Sequence, residues 1–218
     1  MKRKFSPKLV VFALDGVLIE RADGFSETWE AINCQVGDWQ RSTNRAFAEE
    51  IAPSVGFEIS LVILNSMIRG KTRAVFEKAA FDYRLAEGAR EIPAELSRRG
   101  IETAILTGTF LRLANRVGKE VGIPRAMSVN QISFDASSRI TEIITPRADG
   151  SARVWLLRQF LERLQIAPKE VLIIGNRIGN REVFEATGNG IAVGDAPEEL
   201  KKAAATSVEK MPEILSLL

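Results

Sequence analysis

The sequence predicts an α/β fold: a doubly wound, mainly parallel sheet of Rossmann-like topology with an inserted all-α cap. Three observations carry this expectation. Short runs at residues 9–14, 101–106, 171–174 and 190–193, apolar except for Glu102 and Thr103 in the second, have the length of strands in a buried sheet. Amphipathic helical patterns separate the later runs, and strands joined by helices pair in parallel. Between the first two runs, residues from about 26 to 80 show helical periodicity without strand alternation. This divides the chain into a core of residues 1–19 and 84–218 and a cap of residues 20–83.

The first run ends at Asp15-Gly16, a turn signal. Residues 20–24 are a polar exit loop. Ser26-Glu27-Thr28 supplies a helix start, with Trp29, Ile32 and Val36 on one face. A second helix runs from Trp39 with Phe47 and Ile51 on its stripe, ending before Pro53. The pattern continues over 57–68 and 72–81, the latter with Val75, Phe76 and Ala79 inward. The aromatic and Met stripe of Trp29, Trp39, Phe47, Phe57 and Met67 is expected to form the cap's own core. Glu87-Gly88 opens a helix to Arg99 that Gly100 closes. Thr107-Gly108-Thr109 is the turn after the second run, and residues 110–121 are a helix closed by Gly122. Residues 127–134 and 140–145 alternate around Asp135-Ala136-Ser137-Ser138 as a hairpin. A helix over 151–164 faces Trp155, Leu156, Phe160 and Leu164 inward, and residues 197–205 form the last helix.

Composition narrows the chemistry. The 218 residues contain no histidine, which excludes imidazole acid/base catalysis and histidine metal ligation. The one cysteine, Cys34, has no internal disulfide partner and reads as a packing residue. A net charge of +2 gives no footprint for nucleic acid or a membrane surface. No run approaches the ~20 apolar residues of a membrane span. The basic start leads into an apolar run broken by Asp15 and Glu20, which argues against a signal segment and for a cytoplasmic protein.

Three stretches together resemble the haloacid dehalogenase (HAD) superfamily, in the pattern of the phosphoserine phosphatases with a helical cap. Residues 9–18 resemble the first motif, a strand followed by Asp-x-Asp-Gly-Thr/Val-Leu. The helix before Gly100, leading to Thr107-Gly108-Thr109, resembles the second. Gly175-Asn176-Arg177-Ile178-Gly179-Asn180 resembles the fourth, Gly-Asp-x-x-x-Asp. The resemblance implies a phosphoryl-transfer pocket at the carboxyl ends of the strands, with an aspartate nucleophile, a second aspartate as acid/base, Thr and Lys on the phosphoryl oxygens, and carboxylates holding Mg²⁺.

Carried over position by position, the nucleophile falls on Ala13, which has no lone pair to attack phosphorus, and the acid/base on Asp15. Thr107 is the threonine, with the backbone N–H groups of Gly108 and Thr109 near a helix start. Arg153 takes the lysine's place. The metal positions are Asp15, Asn176 and Asn180, so one carboxylate stands where the family has a set. No cofactor is expected; Mg²⁺ is the ion the positions would hold if any. A single Asp-to-Ala knock-out explains Ala13 but not the asparagines and Arg153, which favours natural loss. The sequence also places no arginine at the cap register that holds the amino acid in these phosphatases. That register falls near Leu64, with Glu20 and Asp23 near the acidic partner position.

The expected function is therefore a catalytically degenerate, phosphatase-like protein that binds an anionic or phosphorylated ligand on Thr107, Gly108, Arg153 and Asn176, or a protein partner or second copy. The alternative is a phosphomonoester hydrolase of phosphoserine phosphatase type, seen as an inactivated or weakly active form. A scaffold without a ligand and an enzyme using Asp15 alone as base are further readings. Arg177 and Arg181 either add to a metal-free anion site or point to solvent, with Arg153 paired to Asp15.

Overall fold

The computed structural model describes residues 4–147 and 151–218, so the basic start, read as no signal segment, lies partly outside the described residues. Nine strands and nine α-helices follow in chain order among these residues: β1 (Leu9–Phe12), β2 (Ile19–Arg21), α1 (Thr28–Gln35), α2 (Arg41–Ala46), α3 (Ala52–Ile68), α4 (Arg73–Ala80), β3 (Tyr83–Leu85), α5 (Glu91–Arg98), β4 (Glu102–Phe110), α6 (Leu111–Val121), β5 (Ala126–Phe134), β6 (Ile140–Ile144), α7 (Ala152–Leu164), β7 (Val171–Gly175), α8 (Arg181–Thr187), β8 (Gly190–Val193), α9 (Glu198–Ala203) and β9 (Thr206–Val208).

The main sheet has the order β6-β5-β4-β1-β7-β8-β9. Every pairing is parallel except β5 with β6. β1 lies at the centre, between β4 and β7, and all four of its residues are buried. Side chains alternate across the sheet, so its two faces feed separate clusters. Val10, Phe12, Ile105, Leu172 and Ile174 pack with Leu96, Leu113 and Val117 of α5 and α6. Leu9, Val11, Leu106 and Ile173 pack with Leu157, Leu161 and Phe184 of α7 and α8. This is the doubly wound fold the apolar runs predict, and it puts the ends of β1, β4 and β7 side by side.

The helical segment α1–α4 is bracketed by β2 and β3, a short antiparallel pair that the sequence reading did not expect, having put residues 20–24 in a polar loop and given residues 83–85 no element. Its apolar side is not self-contained. Ile32, Val36, Ile68 and Phe76 share a cluster with Phe110, Ile140 and Ile143, so the helices rest on the edge hairpin. Trp29 packs on Phe110 at 4.8 Å and Trp39 on Phe47 at 5.1 Å between ring centroids, while Met67 lies against the shared cluster. The side chain of Phe57 lies outside the described residues.

Several local expectations are corrected. The helix containing Phe47 does not stop before Pro53: a π turn over Phe47–Ile51 leads directly into α3. Pro53 falls directly after this π turn, at the start of α3. The break falls instead at Gly56 (φ 80°, ψ 170°). Thr107–Thr109 is not a turn but part of β4, which carries a register shift there against β5. α5 starts at Glu91 rather than at Glu87-Gly88. Ile51 and Val75 are exposed, and so is Trp155, since α7 is buried along Ala152, Leu157 and Leu161 instead. β9 has no counterpart in the sequence reading; its three residues give too short a pattern to read.

Candidate functional site

The site forms where β1, β4 and β7 end, the crevice in which open α/β sheets bind ligands. Beyond β1, Ala13 N–H donates to Ile174 O at 2.8 Å and the chain turns tightly, with Gly16 N–H donating to Ile19 O at 2.8 Å. Gly16 takes φ +70°, and a Cβ there would lie 1.9 Å from Asn176 Nδ2. The turn therefore needs glycine for its backbone angle and for the approach of Asn176.

Asp15 faces α1. Its Oδ1 accepts from Thr28 N–H at 3.1 Å and from Thr28 Oγ1–H at 2.6 Å. Thr28 itself is fully buried. Asp15 thus satisfies a first-turn amide, the task of a cap, while Glu27 at the N-cap position makes no capping bond with its side chain. Burial pushes the Asp15 carboxyl above its usual range, against the Thr28 hydrogen bonds and the charges of Arg21 and Arg177. Burial and the nearby Asp15 charge push Glu27 up as well.

Arg153, at the start of α7, is not paired with Asp15. Its Nη1 donates to Gly179 O at 2.9 Å. A Cβ on Gly108 would lie 2.2 Å from Nη2, and one on Gly179 would lie 2.3 Å from Nη1. The guanidinium is wedged between Gly108 of β4 and Gly179 of the loop after β7. Burial lowers its pKa, opposed by the charges of Glu27, Glu182 and Asp15; a guanidinium remains a cation regardless. Its Nε is buried and has no hydrogen-bond partner.

Thr107 is buried, and its hydroxyl is engaged with Thr109, Oγ1 to Oγ1 at 2.9 Å. It also accepts from Thr109 N–H at 3.1 Å. That amide is therefore not free for an anion, and Gly108 and Thr109 lie in a strand ahead of α6 rather than in its first turn. Gly108 O accepts from Trp29 Nε1 at 3.0 Å and from Asn130 Nδ2 at 2.7 Å.

Asn176 is buried, and its Oδ1 has no partner. Asn180 Oδ1 accepts from Arg177 N–H at 3.3 Å and fills the space beside Gly175. Arg177 Nη2 donates to Ser26 O at 2.9 Å, which ties this loop to the residues before α1. Arg181 is exposed and pairs with Glu185, so it stands apart from the site.

Among the predicted metal positions, then, only Asp15 brings charge, and one of its oxygens already accepts two hydrogen bonds. Asn180's oxygen is committed to its own loop. Asn176 Oδ1 alone is a free, neutral donor. No group of three or more acidic, cysteine or histidine side chains comes together among the described residues. A magnesium ion takes hard, preferably anionic oxygens in an octahedral shell; this donor set does not fit one.

Sequence reasoning missed Glu27, Trp29, Asn33 and Asn130 as lining residues. They border a cavity of about 470 Å³ together with Gly108 and Arg153. It also missed Arg21, buried and hydrogen-bonded to Asp23 and to the carbonyls of Ala79 and Ala80, which anchors the end of α4. The Ser-Glu-Thr helix start was visible, but only as a cap. Nothing local in the sequence marks Asn130.

A family profile described as haloacid dehalogenase-like hydrolase matches residues 7–188. The chain belongs to the haloacid dehalogenase-like hydrolase family. Within this family it resembles phosphoserine phosphatases. One from Archaeoglobus fulgidus is 30% identical over 205 residues, covering 93% of this chain and 57% of the relative. One from Streptomyces coelicolor is 26% identical over 203 residues, covering 92% and 47%. The chain thus spans about half the length of these two relatives. In fold it superposes on the phospho-aspartyl intermediate analogue of a phosphoserine phosphatase with a TM-score of 0.81, at 23% identity and over all of both chains. No helix among the described residues is long and apolar enough to cross a membrane.

Proposed function

We propose that this HAD-like protein receives a small phosphomonoester in the crevice between the strand ends and the helical insert, and holds it without hydrolysing it by the family's route. The observation that carries this reading is the placement of Arg153. A half-buried guanidinium, wedged between Gly108 and Gly179 with an unpartnered Nε, is a preformed cation for a phosphate group. The orphaned Asn176 Oδ1, in the loop that follows β7, accepts from a protonated phosphate oxygen or from water. Thr107 contributes after its hydroxyl turns away from Thr109.

What limits the chemistry is Ala13. In-line displacement needs a nucleophile and cations that neutralise developing charge. A methyl group supplies no nucleophile, and the donor set described above does not recruit magnesium. Removing the nucleophile of a well-studied protease costs on the order of 10⁶ in kcat. Asp15, hydrogen-bonded to Thr28, is a positioning group for α1.

The comparisons favour the second reading, a phosphomonoester hydrolase of phosphoserine phosphatase type, since the similarity runs over nearly the whole chain. Calorimetric titration with inorganic phosphate and phosphomonoesters, with and without Mg²⁺, combined with turnover of p-nitrophenyl phosphate, separates the two. Metal-independent heat without turnover is expected. Binding that strictly requires Mg²⁺, or phosphate release by this chain as it stands, would overturn the proposal.

A further inference from the structure

The cavity above Arg153 says more about the organic part of the ligand. Among the described residues that line it, Arg153 is the single cation and Glu27 the single anion. Asn33 donates its Nδ2 to Asn44 Oδ1 at 2.7 Å, and Asn130 donates its Nδ2 to Gly108 O at 2.7 Å. Each asparagine is 5% exposed, and the Oδ1 of each has no hydrogen-bond partner. Outside Arg153 the charged lining is thus the Glu27 carboxyl, joined by two unpaired amide oxygens, with Asn44, whose Oδ1 is taken by Asn33, and Ser60, whose hydroxyl donates to Gly56 O, as the other polar side chains. The remaining walls include the rings of Trp29 and Phe47 and the side chain of Leu64.

We propose that the ligand is a phosphomonoester whose organic head carries an amine and no carboxylate, an amino-alcohol phosphate rather than an amino-acid phosphate. This rests on the reading of Arg153 as the phosphate-binding cation. An ammonium has three N–H donors and no acceptor. It matches a wall of acceptors, and aromatic faces attract it further. A carboxylate on the same head would meet Glu27 and the two amide oxygens. The one guanidinium lining the cavity would already be engaged by phosphate, so its charge would be desolvated without a partner. Buried acceptors left unpaired by the wrong ligand are the strongest source of discrimination a small site has.

The test compares inorganic phosphate, O-phosphoethanolamine and O-phosphoserine by isothermal titration against the full chain. The two esters differ by one carboxylate. O-phosphoethanolamine is expected to bind about tenfold or more tightly than O-phosphoserine, the scale set by leaving one charged group unpaired. Leu64→Arg, which places a guanidinium in the lining, should invert that order, and Glu27→Gln should narrow it. If inorganic phosphate binds but O-phosphoserine binds as tightly as O-phosphoethanolamine or more so, this inference fails while the phosphate reading stands. If neither inorganic phosphate nor either ester binds, the phosphate reading fails and takes this inference with it.

Discussion

Thr28 donates both its backbone N–H and its hydroxyl to one oxygen of Asp15, at 3.1 and 2.6 Å. The loop after the central strand thereby caps the first helix of the insert, and the residue at the family's acid/base position does structural work. Asp15→Ala leaves two buried donors on Thr28 unpaired. It should lower stability by about 1–3 kcal/mol in urea denaturation. Asp15→Asn, whose amide oxygen still accepts, should lose much less. Equal losses for the two would show that charge rather than hydrogen bonding matters here.

Burial holds the carboxyls of Asp15 and Glu27 above their ordinary values of 3.8 and 4.5. The folded state then binds these protons more tightly than the unfolded chain does. Their contribution is most favourable below the ordinary values and is lost as pH rises through the raised ones. Asp23, whose carboxyl is pulled below its ordinary value by Arg21, Phe25 N–H and Gln35 against its own burial, acts in the opposite sense. The readout is therefore the difference between chains. Urea midpoints measured from acid to neutral pH should fall more for the natural sequence than for the Asp15→Asn, Glu27→Gln double variant. A constant difference across that range would contradict the prediction.

Arg153 owes its position to two missing side chains. Gly179→Ala and Gly108→Ala would each place a methyl within 2.3 Å of its guanidinium nitrogens. The displaced atoms are the tip of a long side chain, so the fold should survive while the cation moves. Phosphate affinity, read by titration calorimetry, should drop about tenfold for either variant and further for Arg153→Met, the scale of a charge-assisted bidentate contact. Arg153→Lys should fall between, since it keeps charge but loses the fork.

Restoring the carboxylates tests how much of the phosphatase scaffold persists. Ala13→Asp alone supplies a nucleophile but leaves the metal positions Asn176 and Asn180 neutral. It should show no Mg²⁺-dependent release of p-nitrophenol from p-nitrophenyl phosphate. Ala13→Asp with Asn176→Asp and Asn180→Asp should show it, because three carboxylates then converge where a dication needs them. Activity already present in the single variant would mean that the neutral amides suffice.

The core strands β1, β4, β7 and β8, the doubly wound arrangement and the loops after β1 and β7 were legible in the sequence because each is a local pattern. An apolar run of a few residues bounded by glycine specifies a buried strand, and the residue types at 13, 15, 107, 153, 176 and 180 fix which functional groups exist. Ala13 cannot become a nucleophile in any fold. What only the tertiary structure decided is which of those groups are free. Asp15 is taken up by Thr28, Asn180 by Arg177 and the hydroxyl of Thr107 by Thr109, whereas Arg153 and Asn176 keep unsatisfied atoms. Asn33 and Asn130 meet at one cavity although 97 positions separate them. Hydrogen-bond satisfaction and cavity lining depend on residues distant in sequence, brought together by packing that no local pattern encodes.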